Sequence, residues 1–230
     1  MASYVTLHLY NVKPEHEADM TAWFAGPHAN TLPVLHGFRQ VERYERTPEQ
    51  IMSNIPHPWK YMAIYDFEFD HPEIHLPALG SFLAHPRDHG WLETDGSECI
   101  WSYGMYSGWK FSTRSNKRPE FTHMMFLPAN FVPGMEAEYL DWYENVHVDE
   151  VIEGDGFAAM RRGRLHPVQI EPKQFCAGSQ LVLGALQTDD LAGSQQNFCD
   201  RGNGVAPVGN HGPRSPSAST ARTQHYFKKI

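Results

Sequence analysis

The 230-residue chain is short of cysteine, of positive charge and of long apolar runs, and each shortage excludes something. Cys99, Cys176 and Cys199 are an odd, scattered set with no Cys-x-x-Cys pair, which argues against a disulfide framework or a zinc knuckle. Lys plus Arg number 19 against 27 Asp plus Glu, a formal charge of −8. That balance is poor for gripping a phosphate backbone, so no nucleic-acid partner is expected. No stretch approaches the roughly 18 apolar residues of a membrane helix. Met1–Tyr10 carries no basic leader, and a cytoplasmic protein without membrane contact is expected. A Gly-rich phosphate loop, a GxSxG elbow and a dinucleotide fingerprint are all missing, which argues against nucleotide-dependent chemistry.

What the chain has in excess is histidine, 14 residues, and aromatic side chains: 13 Phe, 10 Tyr and 6 Trp. Aromatics line pockets for flat apolar ligands, and histidine titrates nearest neutrality.

Its most informative feature is self-similarity at a shift of 119 residues. Asn11, Pro14, Glu17, Ala18, Trp23, His28, Gly37, Phe38 and Arg43 recur as Asn130, Pro133, Glu136, Ala137, Trp142, His147, Gly156, Phe157 and Arg162, without a gap. Ordinary composition gives roughly two such matches by chance. A duplicated unit is the natural reading.

Each copy reads alike. Val5, Leu7 and Leu9 alternate with Tyr4, Thr6, His8 and Tyr10, a strand with two different faces. Met20, Trp23, Phe24 and Pro27, like Tyr139, Trp142, Tyr143 and Val146, make one helical stripe. Gly37-Phe38 and Gly156-Phe157 open second strands. Third strands are expected near 61–69 and 180–187, second helices near 76–90 and 189–200, and last strands near 101–110 and 223–229. The order is βαββαβ, the ferredoxin-like arrangement. The fold class is therefore α+β: a first repeat over 1–112, a linker at 113–119, and a second repeat over 120–230. A Gly/Pro-rich stretch at about 201–220 is either a loop over a pocket or disordered.

The run Trp142-Tyr143-Glu144-Asn145-Val146-His147, followed by Gly156-Phe157 and Arg162, resembles EthD-like members of the dimeric α/β-barrel superfamily. Trp23-Phe24, His28, Gly37-Phe38 and Arg43 follow the pattern more loosely. The resemblance implies two antiparallel sheets that pair into a barrel, here within one chain. Tyr4, Thr6, His8 and Tyr10, with His123, Met125 and Leu127 of the second copy, are expected to face that cavity, because they form the less apolar strand faces.

His147 and His28, each five residues after the helix Trp, are candidate general acids or bases. The plainer alternative is a helix-end imidazole on free carbonyls. His8 is a third candidate, since cyclase members of the superfamily place a His on the first strand. Tyr10, Tyr65, Tyr103 and His123 are candidate substrate contacts. Arg43 and Arg162 are candidate anchors for a carboxylate or phenolate. His71/His75 and His85/His89 have the i, i+4 spacing of helical metal ligands, but Pro72 and Pro86 interrupt each pair and no metal is expected. Haem, carried by chlorite dismutases and dye-decolourising peroxidases of this superfamily, is the alternative to a cofactor-free site. Glu153-Gly154-Asp155-Gly156 departs from the peroxidase haem motif in spacing.

The leading expectation is a cofactor-independent enzyme of lyase, isomerase or cyclase type, acting by histidine acid–base chemistry on an apolar aromatic or polyketide-like molecule, as a monomer or homodimer. The alternatives are a haem-dependent or cofactor-free oxidoreductase, and a non-catalytic ligand-binding or stress protein.

Overall fold

A computed structural model describes residues 1–114, 120–170, 178–202, 219–220 and 223–230. The first repeat contributes β1 (Ala2–Tyr10), α1 (Glu17–Trp23), α2 (Ala29–Thr31), β2 (Phe38–Arg46), β3 (Tyr61–Phe69), α3 (Pro72–Asp88), β4 (Cys99–Met105) and the two-residue β5 (Lys110–Phe111). The second contributes β6 (His123–Phe131), α4 (Glu136–Trp142), α5 (Val148–Ile152), β7 (Phe157–Leu165), β8 (Gln180–Leu186), α6 (Leu191–Gly202), β9 (Ser219–Thr220) and β10 (His225–Lys229). Residues 115–119 of the expected linker, and 203–218 of the expected loop, lie outside the described residues.

Each repeat forms a four-stranded antiparallel sheet, ordered β2-β3-β1-β4 and β7-β8-β6-β10. The registers repeat with the duplication: Thr6 pairs with Tyr65 and Met125 with Gly184, Tyr10 with Tyr61 and Ala129 with Gln180. The last strand of each repeat crosses to the second strand of the other. Tyr103 pairs with Leu165 across one seam and Phe227 with Arg46 across the other. These two short seams close eight antiparallel strands into a barrel. Closure removes the free edges that an open sheet exposes.

The barrel holds one core drawn from both repeats, including Val5, Leu7, Leu9, Met62, Ile64, Trp101, Tyr103, Met124, Phe126, Leu183 and Phe227. Two further cores lie outside it, one under the helices of each repeat. This reverses the expected strand faces. Val5, Leu7 and Leu9 point into the barrel. Tyr4 and Tyr10 pack in the core under the first repeat's helices, with Thr6 and His8 on that face by alternation. In the second repeat Met124 and Phe126 point inward, while Met125 and Leu127 pack under helices, and His123 shares their face. The reason is physical. A closed barrel offers inward side chains few partners besides one another, so the purely aliphatic face goes there. On the outer face the polar side chains find hydrogen-bond partners from β4 and the residue before it: Thr6 meets Ser102 at 2.8 Å, and His8 meets Glu98 at 2.8 Å.

The duplicated glycines have a backbone reason. Gly37 and Gly156 have φ of +74° and +80°, and a Cβ on Gly37 would stand 2.1 Å from the Glu68 carbonyl oxygen. α3 begins at Pro72, a favoured first-turn position. His75 and His85 lie within α3, with His71 and His89 flanking it, and the helix carries Pro86 inside it.

Candidate active site

In each repeat the first helix passes into a π turn that ends in the duplicated histidine: Phe24–His28 and Tyr143–His147. Pro27 lacks the N–H of a regular helical turn, but Val146 stands at the matching place, so proline is not the cause in both. Such turns occur mostly as single insertions, frequently at functional sites. The following ring contacts are also duplicated. His28 stacks on Trp23 at 4.1 Å between centroids, and His147 on Trp142 at 4.2 Å.

Below the turn the two repeats diverge. In the first, the Nε2 of buried His28 lies 2.9 Å from the Tyr65 hydroxyl. His28 Nδ1 is buried with no hydrogen-bond partner among the described residues. Burial, with the nearby His8 and His85, pushes the His28 imidazole down to about 3, so it is neutral at pH 7. Arg43 donates from Nε to the Tyr10 hydroxyl at 3.0 Å and from Nη1 to Thr21 Oγ1 at 3.0 Å. Its Nη2 is a second buried atom without a partner. The guanidinium stands 4.6 Å from the Tyr61 ring centroid. Burial pushes Tyr10 up to about 12 against the pull of Arg43, and raises Tyr65 well above the ordinary phenol range. The His8 ring lies tilted against Tyr10 at 4.6 Å and binds Glu98, which Arg87 grips at 2.9 Å. Burial alone would raise the Glu98 carboxyl; the hydrogen bonds from His8 and Arg87 outweigh it and bring it to about 2.

In the second repeat the positions of Tyr65, Tyr10 and His8 are held by Gly184, Ala129 and Leu127. His147 instead sets Nδ1 3.3 Å from Glu150, and is partly exposed. Arg162 forms an ion pair with Glu144, whereas the matching first-repeat position is Ala25 and Arg43 makes no ion pair among the described residues. Duplication thus left both halves the histidine and the arginine. The phenol floor, and an arginine without a carboxylate, belong to the first half.

A cleft of about 510 Å³ opens over this half. Its lining includes Trp23, His28, Phe82, His85 and Trp91, with Asp19, Thr31 and Ser81 as polar groups. The Trp23 and His85 rings are stacked nearly parallel, 8° apart, at 5.4 Å between centroids. The cleft lies outside the barrel, between α1 and α3; of the site residues expected from the sequence only His28 lines it, and Tyr10, Tyr65, His8 and Arg43 do not. Tyr103 points into the barrel and donates to the Gly178 carbonyl at 3.3 Å. His123 lines a separate polar cleft with Lys228 and Asp190. The structure brings together His28, Tyr65, Tyr10, Arg43 and His8, and sets His147 and Arg162 on the other repeat. Glu98, Thr21 and Trp91 were missed from the sequence, and His85 was read there only as half of a metal-spaced pair. Their one legible signal was the asymmetry of the repeat, with Ala25 against Glu144 and Tyr65 against Gly184. Among the described residues no group of three or more His, Cys, Asp or Glu converges as metal ligands would, and no helix is long and apolar enough to cross a membrane.

No protein-family model and no curated protein matches the sequence. Solved structures do match the fold. A candidate monooxygenase from Lactobacillus acidophilus NCFM superposes with a TM-score of 0.58 at 8% identity, covering 100% of this chain and 94% of that one. A candidate chlorite dismutase gives 0.55 at 9% identity, with coverages of 100% and 95%. An anthrone oxidase-like protein gives 0.53 at 8% identity, with coverages of 100% and 91%. The likeness spans the whole chain and is one of architecture. The narrower EthD-like resemblance rests on the Trp-Tyr-to-His motif alone.

Proposed function

We propose that the protein is a small-molecule enzyme of oxidoreductase type, a cofactor-independent oxygenase that binds a flat, hydroxylated aromatic in the cleft of the first repeat. The observation that carries this reading is a pair of buried polar atoms with no hydrogen-bond partner among the described residues: His28 Nδ1, on a residue that lines the cleft, and Arg43 Nη2, on a residue that does not line it but joins the same cluster through Tyr10. Unsatisfied buried polar atoms are costly and rare. A ligand hydroxyl and an oxyanion are the groups that would satisfy a neutral imidazole and a guanidinium. The acid–base chemistry read from the sequence also fits a lyase or isomerase. The monooxygenase and anthrone oxidase-like descriptions of the structural neighbours favour the oxygenase branch.

The chemistry follows from the groups present. Neutral His28, hydrogen-bonded to Tyr65, takes a proton from an activated ring carbon, and the anion formed beside it offsets the burial that holds the free imidazole near 3. Arg43 and Tyr10 stabilise the resulting enolate or phenolate oxygen. The carbanion reduces molecular oxygen and forms a carbon–oxygen bond, and reprotonation gives a hydroperoxide. Loss of water then leaves a ketone. A CH₂ group plus O₂ becomes a C=O group plus water, so the oxidant is oxygen itself and the step calls for no prosthetic group. His8 is proposed as an auxiliary acid–base group; His147, on the other repeat, is given no step in this cleft.

Anthrone in aerated buffer tests the reading. One O₂ consumed per ketone formed, with no Soret band in the purified protein, is the expected result. Product formed equally well without oxygen would return the protein to lyase or isomerase chemistry. A Soret band that tracks activity would assign it to haem. Binding without turnover would make it a carrier.

A further inference from the structure

The segment after the second strand also recurs at the 119-residue shift. Pro48, Gln50 and Ile51 are matched by Pro167, Gln169 and Ile170. Each copy reaches across to the other half. Gln50 Nε2 donates to the Tyr226 carbonyl at 2.8 Å, and Gln50 Oε1 accepts from the Tyr226 N–H at 2.9 Å. Gln169 does the same to Ser102, at 2.9 Å in both directions. A side-chain amide thus pairs with β10 or β4 as a neighbouring strand's peptide would. The N–H groups of Thr47 and His166 donate to the same two carbonyls. The isoleucine that follows packs into the other repeat: Ile51 on the second repeat's helix-side core, Ile170 on the first's.

The contact made by Ile170 bears on the cleft. A Cβ placed on Gly80 of α3 would meet Ile170 Cγ2 at 2.9 Å, so the isoleucine is seated directly on that helix. The next residues of α3, Ser81 and Phe82, line the cleft, as does His85 one turn on. α3 carries Pro77 and Pro86 inside it, each of which removes a backbone hydrogen bond, so its position depends on what packs against it.

We propose that Gln169 and Ile170 form a latch through which the second repeat fixes α3, and that Ile170 is a positioning residue for a ligand in the first repeat's cleft. The ligand part rests on the function proposed above; the latch does not. Gln50 and Ile51 are the reciprocal latch on the half without the phenol floor, and serve as an internal control.

The test uses the full chain and 2-naphthol as a flat phenolic probe. In Ile170→Ala, amide hydrogen exchange across 72–88 should quicken about tenfold. The dissociation constant for 2-naphthol should rise about fivefold, a loss equivalent to about 1 kcal/mol. Ile170→Val should restore both, and covers the case in which the alanine variant folds poorly. Ile51→Ala removes the same side chain from the other half. It should leave 2-naphthol binding unchanged and quicken exchange in the second repeat's helices instead. Unchanged exchange across 72–88 in both Ile170 variants would overturn the latch, as would an equal effect there from Ile51→Ala. Faster exchange with undiminished 2-naphthol affinity would overturn the positioning role. Because the exchange measurement needs no ligand, it decides the latch even where anthrone is not turned over.

Discussion

His28 Nε2 lies 2.9 Å from the Tyr65 hydroxyl, while the residue that matches Tyr65 beneath His147 is Gly184. The same duplicated imidazole therefore has a phenol beneath it in one half and a bare backbone in the other. The two histidines are expected to be unequal in function.

His28→Ala should lower turnover of anthrone by roughly 10²–10⁴, the range of a lost general acid or base. His147→Ala should lower it less than tenfold. It should show up chiefly as a stability loss of about 0.3–1 kcal/mol, the scale of a surface contact at a helix end. Rates and melting curves on the same samples check this. A larger rate loss from His147→Ala would move the site to the second half.

That Arg43 has no carboxylate partner among the described residues can be tested by copying the second half. Ala25→Glu places at an exposed position the carboxylate that Glu144 supplies to Arg162. It should compete with an anionic ligand for Arg43 and raise KM about tenfold, equivalent to about 1.4 kcal/mol. Melting temperature should change little. An unchanged KM would show that Arg43 does not contact the ligand.

Acid should destabilise the protein in two windows. Burial holds His28 near 3 and His225 near 4, against an ordinary 6.5. The unfolded chain takes up protons that the native state refuses. This contribution to stability is complete above pH 6.5 and is lost as pH falls toward those values. Glu98, held near 2 against an ordinary 4.5, adds a second loss of the same sign at lower pH, from 4.5 downward. Melting temperatures from pH 8 to pH 3 check this. His28→Gln with His225→Gln should flatten the upper limb and leave the lower one. An unaltered upper limb would mean these imidazoles are not held neutral.

Inside the barrel, Arg161 of the second repeat donates to Asp66 of the first at 2.6 Å, with both side chains largely buried. Removing one partner strands the other charge. Arg161→Met should cost about 3–5 kcal/mol in denaturant unfolding, while Arg161→Met with Asp66→Leu should cost much less or stabilise. Equal losses from the single and the double substitution would show that the pair acts through packing rather than charge.

The sequence by itself determined the duplication, the βαββαβ order and the α+β class, because these rest on local periodicity and on residues repeated at one spacing; the pairing of the two sheets into a barrel came only from the family resemblance. Trp23, His28, Gly37 and Arg43 were legible for that reason, and Gly37 has a backbone cause that holds wherever the chain turns with positive φ. Three things were decided only by the tertiary structure. The strand faces were one: alternation shows that Leu7 and His8 lie on opposite sides, but closure of the barrel decides which side is dry, and it took the aliphatic one. The difference between the halves was another. Tyr65 and Gly184 acquire meaning only when register sets them beneath His28 and His147. The last was the exchange between repeats, where Gln169 and Ile170 meet Ser102 and Gly80 across a seam that no local pattern encodes. Contacts between residues distant in sequence depend on how the two sheets close on each other, and closure is a property of the whole chain.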